Sequence, residues 1–276
     1  MTAATKIRID GVSKVFSAPG RGRKDGAPAF QALKDVDLDV RDGELLTIVG
    51  PSGCGKSTLL DLLAGLSLPS AGGIFIDGAP VTGPGLDRGV VFQQYALFPW
   101  RTALRNVEFG LESKGLGARQ RREQAREYLA LVGLAGFEGH YPHQLSGGMK
   151  QRVAIARSLA FDPDVLLMDE PFAALDAQTR EILQNELLRI WRKTGKTIVF
   201  ITHGIDEAIV LGQRVAVMGT RPGRIRTIVE VPASLHGADD DVRAHAGFAE
   251  IRHAIWGLIR QDALDSSSVA RAGAVA

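Results

Sequence analysis

Residues Gly50 to Ser57 read GPSGCGKS and fit G-x-x-x-x-G-K-[ST], a run whose chemistry is polyphosphate binding. Glycines at 50, 53 and 55 allow successive backbone amides to turn inward as a nest for phosphate oxygens at the positive end of a helix. Lys56 is then placed for the β and γ phosphates and Ser57 for Mg²⁺. The candidate loop is Gly50, Pro51, Ser52, Gly53, Cys54, Gly55, Lys56, Ser57 and Thr58. Further along, VLLMDE (Val165 to Glu170) ends an apolar run on two carboxylates. Asp169 suits Mg²⁺, directly or through water, and Glu170 suits polarising an attacking water. Adjacent residues on extended backbone point different ways, so the two acids can divide these tasks. Gln93 follows VVF and is placed for Mg²⁺ or the lytic water, while His203 follows TIVFIT and is placed for a γ-phosphate. Ser146, Gly147 and Gly148 open a second helix and make a second anion-binding amide cluster.

Elements must place these groups. Leu45 to Val49 (LLTIV) is short, apolar and bounded by Glu44 and Gly50, as a buried parallel strand should be. A helix from Lys56 has an apolar face of Leu59, Leu60, Leu62 and Leu63, with Gly65 as its stop. Strand material at Ile7 to Phe16 and Leu38 to Val40 flanks Ser17 to Pro28 (SAPGRGRKDGAP), which reads as a surface loop. From about Arg101 to Phe161 the chain looks helical, with an amphipathic stretch at Arg119 to Val132. VLLM and TIVFI are two more buried strands, separated by a helix whose expected apolar face is Ile182, Leu183, Leu187 and Ile190. Alternating apolar strands and helices argue for an α/β fold with a parallel sheet covered on both faces. Beyond Pro232 the pattern predicts one helix over Val242 to Ile259 and a frayed tail over Ser266 to Ala276.

Composition narrows the partners. Lys plus Arg is 33 and Asp plus Glu is 31, so the net charge is only +2 and gives no footprint for nucleic acid. The start, MTAATKIRID, has no apolar h-region, and no stretch of about 18 apolar residues predicts a membrane span. A single cysteine, Cys54, excludes an intramolecular disulfide and a Cys-rich zinc site, and points to a reducing cytoplasm. A helix N-terminus lowers a thiol pKa, yet Cys54 occupies a free position of the motif and is read as contributing its backbone amide. His140 and His143 (HYPH) have no Cys or acid partner set and are not read as a metal site.

Taken together, six motifs in one order resemble the ATP-binding subunits of ABC transporters over about residues 7–232. GPSGCGKS is similar to their Walker A, Gln93 to their Q-loop residue, LSGGM to their signature with Met149 where Gln is commoner, VLLMDE to their Walker B, AALD (Ala173 to Asp176) to their D-loop and His203 to their switch histidine. The resemblance implies a P-loop NTPase of ABC-ATPase type, with a mostly parallel core sheet, an N-terminal antiparallel β subdomain and an inserted helical subdomain over about 97–160, followed by an extension over 233–276. It implies two copies sandwiching two ATP molecules, each held by Walker A of one copy and Ser146 to Gly148 of the other, with Asp176 at the contact. It also implies an aromatic ring stacked on adenine; Phe16 occupies the matching place and Phe30 is its rival. Transmembrane permease subunits, an indirectly engaged periplasmic solute-binding protein and a peripheral position on the cytoplasmic face of a bacterial inner membrane follow from the same likeness. GPGLDRGVVFQQYALFPW, PFAALDAQTRE and TRPGRI look like the nitrate, sulfonate and taurine importer group.

Two other readings compete. DNA-repair relatives carry a long coiled coil between the motif sets and translation factors carry two cassettes, and this sequence has neither. LSGGM, AALD and a separate His203 count against a P-loop kinase or GTPase.

Overall fold

The structure is a computed structural model describing residues 4–16, 29–112, 114–220, 222–236 and 242–272. The segment Ser17 to Pro28, expected as a loop, lies outside the described residues. In chain order the elements are β1 (Thr5–Phe16), β2 (Phe30–Arg41), β3 (Leu45–Val49), α1 (Lys56–Leu63), β4 (Ala71–Ile76), β5 (Ala79–Pro80), β6 (Arg88–Val91), α2 (Ala103–Glu112), α3 (Ala118–Leu131) and α4 (Gly147–Ala160). They continue with β7 (Val165–Asp169), α5 (Ala177–Thr194), β8 (Thr197–Thr202), α6 (Ile205–Leu211), β9 (Arg214–Gly219), β10 (Arg224–Glu230) and α7 (Ala246–Ala272). The chain divides into two units, Met1–Pro84 with Phe200–Ala276, and Gly85–Val199.

In the first unit an antiparallel sheet runs β2-β1-β4-β5. In β2, Val36, Leu38 and Val40 are buried while Asp37, Asp39 and Arg41 are exposed, the alternation of a sheet with one wet face. A second set of strands runs β10-β9-β3-β8. Every residue of β3 and β9 is buried, and the two pair in parallel from Leu46↔Arg214 to Val49↔Val217. Thr47 is tolerated there because its hydroxyl donates to the Ala208 carbonyl at 3.0 Å. α7 buries Phe248 and Ile255 in the core that contains Val49, Val217 and Ile209. Among the described residues no helix is long and apolar enough to cross a membrane.

A buried ion pair fixes the entrance to β3. Arg214 sends two parallel bonds to Glu44, Nε to Oε1 at 2.6 Å and Nη2 to Oε2 at 2.7 Å, and Nη2 also donates to the Asp39 carbonyl at 2.7 Å. The side chains are only 8% and 3% exposed, so removing one partner strands a charge in the interior. Arg214→Met is therefore expected to lower the unfolding free energy by about 3–5 kcal/mol, read by denaturant titration.

In the second unit the strands run β8-β7-β6, with β6 and β7 parallel from Arg88↔Val165 to Val91↔Met168. The expected helical stretch is α2, α3, a short turn at Pro142–Gln144 and α4. α5 buries Leu183, Leu187 and Ile190, an i, i+4, i+7 stripe. Ile182, expected on that face, lies off the stripe and is 49% exposed. The C-terminal expectation is also corrected. A short turn occupies Val242–Ala244, and α7 starts at Ala246 and continues to Ala272, covering the first seven residues of the part predicted to fray, while 273–276 lie outside the described residues. Between Gly257 and Gly273 the sequence contains no helix-breaking Gly or Pro, and Ala and Arg at its end favour helix.

Candidate functional site

β3 delivers the chain to the phosphate loop, and α1 takes it away. Gly55 caps α1 at φ 96°, a left-handed angle that an L side chain rarely adopts. A Cβ there would sit 2.7 Å from Leu33 Cδ2 and 3.1 Å from the Ala32 carbonyl, so both conformation and space demand glycine. No side chain caps α1 and no acid occupies its first turn, which keeps its positive end suited to an anion. Lys56 is 6% exposed, and its ammonium donates to the carbonyls of Gly50 at 2.8 Å and Pro51 at 3.1 Å. Those bonds hold the charge over the loop. Cys54 is fully buried, and desolvation pushes its thiol pKa up despite the neighbouring Lys56. A thiol kept protonated is a poor nucleophile, in keeping with a backbone role for this position.

His203 follows the C-terminal end of β8, the strand next to β3 in the sheet. It is exposed, and its turn is braced by Thr202, which is 1% exposed. The Thr202 hydroxyl accepts from Gly204 N at 2.9 Å and donates to Glu207 Oε2 at 2.5 Å. Phe16 and Phe30 are Cα partners across β1 and β2, 44% and 60% exposed, so both rings lie at one end of the antiparallel sheet. The Lys14 ammonium lies 5.2 Å from the Phe16 ring centre.

The second unit carries the remaining groups. Because Val91 pairs with Met168, Gln93 and the Asp169–Glu170 pair leave the same end of adjacent parallel strands. Glu170 departs from expectation in its backbone. β7 ends at Asp169, and Glu170 has φ 42°, in the left-handed region rather than on extended chain. The chain turns here, and the Ala173 amide bonds the Glu170 carbonyl at 3.1 Å. Fully buried Phe172 fixes the segment that follows.

Ser146 caps α4, its hydroxyl accepting from Met149 N at 3.3 Å, and α4 has no acid in its first turn. Asp176 caps α5 by accepting from Thr179 N at 2.9 Å, and these bonds from Thr179 hold its carboxyl below the usual pKa. His143 stacks on Tyr141 at 5.8 Å between ring centres, and among the described residues no group of three or more His, Cys, Asp or Glu could hold a metal.

Several supporting groups escaped the sequence reading. Arg157, from α4, donates to the carbonyls of Ala96 at 2.6 Å and Tyr95 at 3.3 Å, clamping the segment after Gln93. Asn106, fully buried on α2, accepts from Phe98 N at 2.8 Å and donates to the carbonyls of Arg101 and Thr102, each at 3.0 Å. Thr202 and Glu207 do the same for His203. None belongs to a motif, and the partners of Arg157 lie about sixty positions away, at separations of 61 and 62 residues.

Comparisons with known proteins agree with this arrangement. A family model described as ABC transporter matches residues 33–173. An uncharacterized ABC transporter ATP-binding protein of Methanocaldococcus jannaschii is 52% identical over 261 residues, 95% of this chain and 94% of that protein. A taurine import ATP-binding protein of Jannaschia sp. is 46% identical over 258 residues, 92% of this chain and 94% of that protein. A solved dimeric ATP-binding cassette in a post-hydrolysis state, bound to ADP and Pi, is 36% identical with a TM-score of 0.70, covering 82% of this chain and 99% of that one. With the phosphate loop, the acidic strand end and the second glycine cluster in place, the chain belongs to the ABC transporter ATP-binding family and is an ATPase of the ABC cassette fold.

Proposed function

We propose that this ATPase drives an importer for taurine or another sulfonate. The observation that carries the reading is the likeness to taurine import ATP-binding proteins, such as that of Yersinia pestis at 56% identity over 194 residues. In this reading Gly50 to Thr58 wrap the phosphates, Phe16 or Phe30 stacks on adenine, Glu170 polarises the water, Gln93 serves Mg²⁺ or that water, and His203 serves the γ-phosphate. Ser146, Gly147, Gly148 and Asp176 meet the nucleotide bound by a second copy. The Ser57 hydroxyl, Asp169 carboxylate and Gln93 amide oxygen are hard oxygen donors of the kind Mg²⁺ takes, together with nucleotide phosphates. When bound, that ion neutralises charge on the β and γ oxygens. The cassette spans 7–232 with a helical subdomain over about 97–160, and 233–276 is an extension.

The ATPase works as a homodimer on the cytoplasmic face of a bacterial inner membrane, against permease subunits that a periplasmic solute-binding protein loads. Deleting the gene in its native host should abolish uptake of radiolabelled taurine; full taurine uptake with loss of nitrate uptake would replace the solute assignment. The exposed Ser146 also gives a direct test of the dimer. Ser146→Arg should leave nucleotide binding intact while preventing ATP-driven dimerisation, and a normal ATP-dependent dimer on sizing chromatography would refute the contact.

A further inference from the structure

We propose that Asp262, on the C-terminal helix α7, is a positioning residue for the phosphate loop, acting through the turn between β9 and β10. This deepens the phosphate-loop reading and rests on it. Asp262 is 3% exposed. Its carboxylate accepts from the Thr220 amide, from the Thr220 hydroxyl at 3.0 Å, and from the Arg226 guanidinium, whose Nε lies at 3.0 Å and whose Nη2 also donates. One buried carboxylate thus binds both sides of the β9–β10 turn.

The other face of that turn lies on the loop. Gly223 N donates to the Ala32 carbonyl at 2.9 Å, and Lys34 N donates to the Gly223 carbonyl at 2.9 Å. A Cβ on Gly223 would lie 2.0 Å from the Cys54 carbonyl, so turn and loop backbones touch where only glycine fits. At the end of β9 the approach is equally close. A Cβ on Gly50 would lie 2.7 Å from the Met218 carbonyl and 2.8 Å from Cys54 Sγ. Cys54 is therefore wedged between the end of β9 and the turn that Asp262 pins. Burial raises the Cys54 thiol pKa, and the negative charge of Asp262 adds to that rise.

Closing the hairpin does not require this carboxylate, since Arg224 already pairs with Gly219 across the two strands. A buried charge committed to one turn specifies a single arrangement of it. The arrangement it specifies is the one that backs the loop. A nest whose amides are aimed before nucleotide arrives avoids the ordering cost on binding. Loosening the turn should thus weaken nucleotide binding and affect turnover at saturating ATP little.

The sole cysteine supplies a native reporter. In the full chain, Asp262→Ala is expected to speed maleimide labelling of Cys54 about tenfold and to raise the dissociation constant for a fluorescent ATP analogue by a similar factor. Asp262→Asn keeps one acceptor oxygen and should fall between wild type and Asp262→Ala, which preserves the test if the alanine variant folds poorly. Arg252→Ala removes the exposed 2.7 Å pair from α7 to Asp206 and should leave Cys54 labelling unchanged. Unchanged labelling and nucleotide affinity in both Asp262 variants, with only a lower melting temperature, would overturn the proposal. Failure of the wild type to bind nucleotide would instead sink the phosphate-loop reading, while the labelling comparison still decides whether Asp262 positions the loop.

Discussion

Glu170→Gln is expected to bind ATP with near-normal affinity and to lose turnover by about 10²- to 10⁴-fold, the contribution typical of a positioned general base. Glutamine keeps the size and the hydrogen-bonding oxygen of the side chain but cannot draw a proton from water. The backbone angle of φ 42° at this position is as costly for glutamine as for glutamate, so the turn after β7 should stay in place. The measurement is phosphate release by the transporter reconstituted with its permease, alongside fluorescent-nucleotide binding. Near-normal phosphate release would remove Glu170 from the role we propose. A parallel loss of nucleotide binding would show that the substitution had disturbed the site's shape.

The second large effect is expected at Lys56. Hydrogen bonds to charged groups contribute about 1.5–3 kcal/mol each, so deleting an ammonium that we propose serves two phosphates should weaken ATP binding by on the order of a hundredfold or more. Lys56→Ala also removes the bonds to the Gly50 and Pro51 carbonyls, at 2.8 and 3.1 Å, that hold the side chain over the loop. Lys56→Met keeps much of the buried stem and separates the two contributions. If both variants lose binding equally, the charge is responsible; if methionine retains wild-type affinity, the proposed phosphate contact is wrong. Thermal melts of both proteins, recorded without nucleotide, identify any loss that comes from the loop alone.

How much of this could be read from the sequence depends on how local the signal is. The loop between β3 and α1 is legible because its glycines, lysine and serine fall within eight residues, Gly50 to Ser57, and β3 announces it by an unbroken apolar run. β7 and β8 were legible for the same reason. Arg157 and Asn106 were not, because their value lies in carbonyls brought to them by folding, and nothing in an isolated Arg or Asn signals such a clamp. Ile182 was misplaced because it adjoins a genuine stripe at Leu183, Leu187 and Ile190, and adjacent helical positions differ by about 100° in direction. α7 was cut short at Ile259 because its later residues are small and polar. One of its anchors, Asp262, is a charged residue that periodicity counts as surface, yet it is buried by partners just after β9 and on β10. Glu170 shows a subtler limit. Extended backbone is the expectation through both acids, but the strand ends at Asp169 and Glu170 is left-handed.

That left-handed residue bears on how the protein would respond to selection for robustness. A non-glycine residue held at φ 42° costs the fold about 1 kcal/mol or more, a cost glycine would not carry. A thermostability screen blind to activity should therefore favour Glu170→Gly, enriching hardier proteins that have lost the carboxylate. With Glu170 in the role we propose, stabilised versions of this ATPase need position 170 held fixed during the search.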